Sequence, residues 1–286
     1  MRCAPTFGLI WLLIATSAGF PGTVAEFKER RVDFNRPDAI YTSRMAQEDF
    51  GNATLVATRQ SVSLTNDALR ICFVKGKKVD QTGVCLLTAV PPRQQYTLEY
   101  RIKYDDTFET GLHGKQFGLS GGKSYTGGLG EACRQNGDGW SVRLQFDAHA
   151  DEISNQLYVY HCEMKSAYGE SLGTHRTPFY YKRGEWHQIR LRVTMQSSPA
   201  ERDGRIEVWC DGTKRIEVSN VEFVRKEAGR RIDLVRLESF PGGAGIVPTR
   251  DSFLQVDDLS WSSAAAGKTN LASANNYLPT SPARLK

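Results

Sequence analysis

The sequence predicts an all-β protein, a two-sheet antiparallel β-sandwich of jelly-roll type, on three observations. From residue 68 onward, short segments alternate apolar with polar residues in period two, the pattern of strands with one buried face. Gly, Asn, Asp or Pro separates one segment from the next, where turns require them. No amphipathic helical stretch of any length competes.

The chain opens with Arg2, an apolar run from Phe7 to Ala15, and small residues with Ala18 or Ala25 as cleavage points. Residues 1–25 therefore read as a secretory signal peptide. The run is too short for a bilayer, which needs ~20 apolar residues, and no later segment comes close. A soluble, secreted protein (extracellular or periplasmic) with no membrane partner is expected. Residues 26–67 are polar and weakly patterned, and are expected to form an N-terminal arm packed on the sandwich.

Residues 68–262 hold the strands. In "YTLEYRIKY", Tyr96, Leu98, Tyr100, Ile102 and Tyr104 alternate with Thr97, Glu99, Arg101 and Lys103. "ALRICFVK" and "GVCLLTAV" precede it, and "WSVRLQF", "QLYVYHC" and "WHQIRLRVTM" follow. "GRIEVWCDGTKRIEVS" turns back on itself through Asp211-Gly212, a tight-hairpin signal. "IDLVRLESF" and "DSFLQVDDLSW" close the series. Residues 263–286 are rich in Ser, Ala, Asn and Pro and are expected to be a disordered tail.

The formal net charge is +5, or +4 once the leader takes Arg2 away, a mild surplus that suits an anionic partner. No block of Lys/Arg exceeds "KGKK" at Lys75 to Lys78 and no recognition motif occurs, so nucleic acid is not the expected partner. Of six cysteines, Cys3 belongs to the leader; the five that remain leave at least one thiol unpaired. Cys210 shares the apolar parity of Ile206 and Val208 and is expected as a buried thiol. Cys72 with Cys85, and Cys133 with Cys162, are the first disulfide pairings to consider. No CxxC or His-x-x-x-His spacing occurs, so no structural zinc site is expected.

Chemistry-bearing residues concentrate in "GWSVRLQFDAHADEISNQLYVYH", residues 139–161. Alternation sends Trp140, Val142, Leu144 and Phe146 to the core and Ser141, Arg143 and Gln145 to the opposite face, about 6.6 Å per two-residue step. On the next strand Leu157 and Val159 point inward, leaving Tyr158 and Tyr160 outward. Spacing alone also fits an ordinary solvated face. A second stretch, "GLHGKQFGLSGG" at 111–122, sets Lys115 among small residues. It lacks the phosphate-loop pattern, and its glycines suit a loop or strand edge that comes close to a ligand.

Four segments together resemble polysaccharide lyase family 14, the alginate and glucuronate-polymer lyases. They are "PPRQQYTLEYRIKYDDTFETGLHGKQFGLSGG", "WSVRLQF", "LYVY" and "ESFPGGAGIVPTRDSFLQVDDLSW". They fall in the family's order and span about residues 68 to 261. Gln116-Phe117 stands where the family shows Leu-Pro, and Gln145 where it shows an apolar residue. The resemblance implies a jelly roll with its active site on a concave sheet. It also implies a secreted lyase that cuts an acidic uronate polymer, alginate or glucuronan, by β-elimination. Lys115, Ser141, Arg143, Tyr158 and Tyr160 carry over as catalytic positions. Beside the resemblance, His113, two residues from Lys115, and Gln145 are expected as substrate contacts.

In such a reaction a base takes the C5 proton beside the carboxylate and the O4 substituent leaves, so developing negative charge must be neutralised. Arg143 is suited to grip the carboxylate in bidentate fashion, with Ser141 adding a hydrogen bond. Tyr158 or Tyr160 is the expected proton carrier, its phenolate stabilised by Lys115 and Arg143; Lys115 itself is the rival base. The reaction requires no cofactor and no metal, and a monomer is expected. A non-catalytic, lectin-like sandwich for anionic polysaccharide is the alternative.

Overall fold

The computed structural model describes residues 30–51, 53–56, 61–79, 81–172, 179–243 and 245–263. The expected leader, and the tail beyond its first residue, lie outside the described residues. In chain order the elements are β1 (Arg30–Val32), β2 (Ala39–Ile40), α1 (Ser43–Phe50), β3 (Ala53–Val56), β4 (Val62–Leu64), β5 (Leu69–Phe73), β6 (Val84–Arg93), β7 (Gln95–Tyr104) and β8 (His113–Gly122). Then come α2 (Gly130–Asn136), β9 (Gly139–Ala148), β10 (Glu152–Tyr160), β11 (Phe179–Lys182), β12 (His187–Thr194), β13 (Gly204–Cys210), β14 (Thr213–Val221), β15 (Ile232–Pro241) and β16 (Ser252–Ser262).

The strands form two antiparallel sheets packed as a jelly-roll sandwich. A nine-stranded sheet runs β14-β13-β12-β7-β16-β5-β4-β2, with β1 paired to β16. A seven-stranded sheet runs β11-β10-β9-β8-β15-β6-β3. Residues 30–64 supply strands to both sheets, so this segment is woven into the sandwich rather than laid against it. The helix α1 starts on Thr42, whose hydroxyl accepts the Met45 N–H, an N-cap bond.

The core lies where alternation puts it. Tyr96, Leu98, Tyr100, Ile102 and Tyr104 of β7 are buried, as are Trp140, Val142, Leu144 and Phe146 of β9. Each such side chain removed from water contributes about 1.5–3 kcal/mol. Phe73, Tyr104, Phe108 and Phe146 meet edge-on, tilted or stacked with centroids 4.8–5.9 Å apart.

β8, which the sequence presents as a Gly-rich stretch, is a central strand. Gly114 faces the Phe240 carbonyl, which a Cβ would meet at 2.1 Å, and Gly118 faces the Val142 carbonyl at 2.0 Å. Only glycine permits that approach. Between Lys115 and Gly118 the register with β9 shifts by one residue, a bulge. Lys115 stays on the outer face opposite Gln145 and Phe240. Gln116 turns into the core, where it bonds Tyr104, Asn155 and Tyr181 at 2.8–2.9 Å. Its amide nitrogen and its carbonyl oxygen are both met by partners that are themselves buried, the condition for a polar group in a core.

The expected disulfides are absent: Cys72, Cys85, Cys133, Cys162 and Cys210 are all free thiols. Cys72 sits opposite in parity to the core residues Ile71 and Phe73, facing out from one sheet. Cys85 faces out from the other and reaches Glu238 at 3.4 Å. The two therefore point to opposite sides of the sandwich. Cys133 donates to the Gly139 carbonyl and Cys162 to that of Glu222. Cys210 is buried as expected.

Candidate active site

Strand pairing gathers the candidate residues on the outer face of the seven-stranded sheet. Tyr158 of β10 lies opposite Arg143 of β9, and Tyr160 opposite Ser141. Across the other edge of β9, Lys115 lies opposite Gln145 and His113 opposite Asp147. The Lys115 ammonium sits 3.5 Å above the Tyr158 ring centroid and the Arg143 guanidinium 5.4 Å from it, a cation–π arrangement. Tyr158 and Tyr160 meet edge-on at 5.9 Å. Lys115 Nζ donates to Gln145 Oε1 at 2.5 Å. The loop after β15 closes the site: Gly242 N–H donates to the His113 carbonyl, and a Cβ on Gly243 would stand 2.7 Å from the His113 ring.

One expectation needs correction. Ser141, Arg143 and Tyr160 share the outer face but are not exposed; they are 0%, 3% and 0% accessible. Residues 124–136 and 161–170 form a wall over that end of the sheet. Tyr125, Cys133, Tyr160 and Met164 make a small second core, with Tyr158 packed on its side. Gly128 N–H donates to the Tyr160 hydroxyl at 3.0 Å, and Ser141 Oγ to the Tyr125 carbonyl at 2.7 Å. Gly169 lies against the Tyr158 ring. Lys115, His113, Gln145 and Tyr158 remain partly exposed and form the accessible site.

Arg143 accordingly does not present a free guanidinium. It pairs with Glu238 at 3.2 Å, and Arg236 grips the same carboxylate in a fork at 2.8 and 2.7 Å. Burial works against the Glu238 charge, yet Arg236 and Arg143 hold its carboxyl below the ordinary range. Two guanidiniums against one carboxylate leave one net positive charge beneath the site. Arg143 Nε is buried without a hydrogen-bond partner. The sequence reading missed Glu238 and Arg236; the available signal was a pair of opposite charges two apart in "VRLESF", on the outward parity.

Proton-carrying roles follow from the surroundings. Burial, helped by the Arg143 charge and opposed by Asp147, lowers the Lys115 pKa to about 7. Burial and neighbouring Tyr160 outweigh Arg143 at Tyr158, whose phenol is pushed up to about 12. The cationic neighbours expected to favour a Tyr158 phenolate are therefore present but do not prevail. Near neutral pH an amine that is in part unprotonated and a protonated phenol stand side by side, groups able to accept and to donate a proton. Among the described residues the one compact group of metal-ligating side chains is His187, Cys210 and Asp211 on the other sheet. There His187 Nδ1 already bonds Asp211 at 2.7 Å.

The chain's similarities agree with this architecture. The family model described as polysaccharide lyase 14 matches residues 63–246. No curated protein matches the chain. Alginate lyase Aly36B superposes with a TM-score of 0.73 at 23% identity, over 84% of this chain and 98% of that one. A double mutant of it with a bound alginate tetrasaccharide gives 0.75 at 21% identity, over 85% and 100%. The PL-14 alginate lyase of Aplysia kurodai gives 0.61 at 20% identity, over 81% and 97%. At these identities the structural likenesses establish the shared fold.

Proposed function

Because the chain belongs to polysaccharide lyase family 14, we propose that it cleaves a uronate polymer by β-elimination, with Lys115 as base and Tyr158 as acid. Alginate and glucuronan are the substrate classes considered, alginate having the support of the solved relatives. The observation that carries the assignment is the placement of a lysine brought to about 7, its Nζ 3.5 Å from the ring centroid of a phenol pushed up to about 12. A base is most effective when its pKa lies near the working pH, and a phenol that stays protonated can donate to the departing O4.

Neutral Lys115 takes the C5 proton, the C4–O4 bond breaks as the C4–C5 double bond forms, and Tyr158 protonates the leaving oxygen. The proton then passes from Lys115 to the phenolate or to water. The Gln145 carbonyl accepts from Lys115, which leaves the Gln145 amide N–H₂ and the His113 ring to contact the sugar carboxylate. The buried Arg143–Glu238–Arg236 group supplies a positive field beneath it, preorganised in a water-poor setting. Arg143 acts through this field, and Ser141 and Tyr160 act by fixing the floor and the wall.

The leader pattern of residues 1–25 supports secretion, and the monomeric state is part of the same proposal. No helix among the described residues is long and apolar enough to cross a membrane. The test is a panel of polyuronates followed by the near-ultraviolet absorbance of unsaturated ends, with Lys115→Ala beside the wild type. Product from the wild type and none from the variant is the expected result. An equally active Lys115→Ala variant removes the lysine from the mechanism.

A further inference from the structure

The outer face of the seven-stranded sheet carries a second polar row. His113 pairs with Asp147, Asp147 with Ser154, and Ser154 with Tyr180. These four side chains therefore cross β8, β9, β10 and β11 on the face that bears Lys115. The row lies one residue pair along from Lys115 and Gln145. Asp147, Ser154 and Tyr180, with His149 and Leu112, line an open cavity of about 420 Å³.

Its parts are already in place. Tyr180 is 47% exposed on the edge strand, with the His149 ring 6.4 Å away. His149 Nε2 lies 2.9 Å from Ser154 Oγ. The turn that carries His149 is tied down at both ends. Its N–H donates to the Glu152 carbonyl at 2.9 Å, and Arg183 bonds the carbonyls of His149 and Phe108. Among the described residues the Asp147 carboxylate has no hydrogen-bond or ion-pair partner.

We propose that this row is a subsite for a distal sugar ring of the polymer, one that stacks on Tyr180 and turns hydroxyls, not its carboxylate, toward Asp147. The proposal rests on the uronate-lyase reading and adds where the chain lies. A pyranose offers an apolar face of C–H groups and an edge of hydroxyls. Tyrosine supplies a rigid apolar surface for the first, and a carboxylate accepts strong hydrogen bonds from the second. Asp147 repels a second carboxylate, whereas the Lys115 side of the cleft attracts one. The Lys115–His113 side and the Asp147–Tyr180 side therefore sort acid edges from hydroxyl edges and set the register of the chain at the cut. Strands lie about 4.8 Å apart, so Tyr180, three strands from Lys115, is about 14 Å away across the sheet. A single ring at the cut does not reach it.

The experiment compares wild type, Tyr180→Ala, Tyr180→Trp and Asp147→Ala on size-defined oligouronates, from the shortest that is cleaved upward. In parallel, calorimetry measures binding of the same oligomers to Lys115→Ala with and without Tyr180→Ala. Losing one stacked ring corresponds to about tenfold. Tyr180→Ala should therefore raise KM about tenfold for the longer oligomers with kcat unchanged, leave the shortest unaffected, and weaken long-oligomer binding to the inactive variant. Tyr180→Trp should retain the wild-type length dependence, and Asp147→Ala should shift KM in the same direction as Tyr180→Ala. Identical length dependence in all variants, or an equal loss at every length, overturns the subsite. Failure of the wild type to form unsaturated ends from any polyuronate overturns instead the lyase reading beneath it.

Discussion

Replacing Arg143 with methionine separates a buried field from a direct grip on the substrate. Lys115 Nζ and Arg143 Cζ lie 3.5 and 5.4 Å from the same ring centroid. They can be no further apart than the sum of those distances, about 9 Å. At an effective dielectric of about 20, two unit charges so placed repel by about 1.8 kcal/mol, enough to move a pKa by about 1.3. Removing Arg143 should therefore raise the Lys115 pKa from about 7 to above about 8. Glu238 keeps its fork from Arg236, so the stability cost should fall toward the low end of the ~3–5 kcal/mol for breaking a buried pair. The assay is kcat/KM against pH by product absorbance, beside a thermal melt at each pH. Activity at pH 7 should drop by about tenfold and recover once the pH exceeds the new lysine pKa. An acidic limb that stays in place in a folded variant refutes the electrostatic coupling. Loss by one factor at every pH shows instead that Arg143 touches the substrate.

Tyr158→Phe keeps the ring under Lys115 but removes the acid, and should lower kcat by about 10²–10⁴ with KM little changed; a fully active variant excludes the phenol. Gly118→Ala brings a Cβ to 2.0 Å from the Val142 carbonyl. It should reduce cleavage and lower Tm, by about 2–4 °C for each kcal/mol lost in a chain this size; an unchanged melt contradicts the tight packing of β8 on β9. Reducing agent should leave Tm unchanged, and Cys133, buried with its thiol pushed up to about 12, should react only as fast as the protein unfolds. A melt that falls on reduction points to a disulfide. Lys115 binds its proton less readily folded, at about 7, than unfolded, at 10.5. Its contribution to stability should therefore grow as pH rises across that window and be lost as pH falls to 7. Lys115→Met should flatten this slope, and parallel curves for the two proteins refute it.

Much of this architecture is legible in the residues themselves. Alternation in β7 and β9 locates both the core and the outward set, because a half-buried strand leaves that pattern wherever tertiary packing follows it. β8 escapes the same reading because its glycines carry no side chain to alternate; what they accommodate, the carbonyls of Phe240 and Val142, lies more than twenty residues away. Alternation also gives the side of a residue without its depth. Ser141, Arg143 and Tyr160 face outward from the sheet and are buried by a wall that local sequence does not foretell. The thiols make the same point. Cys72 and Cys85 stand close in sequence and could be joined on paper, yet they leave the sandwich through opposite faces. Glu238 becomes meaningful only once β15 is seen beside β8 and β6.

Lys115 and Gln116 are neighbours in sequence and inhabit different worlds, the first in contact with solvent and the second locked among Tyr104, Asn155 and Tyr181. The bulge at this point joins the amine proposed as base to a buried polar cluster. Mutational drift, or a protein engineer, can thus adjust the pKa of the proposed base by repacking buried residues on the far side of the strand, leaving the outer face intact.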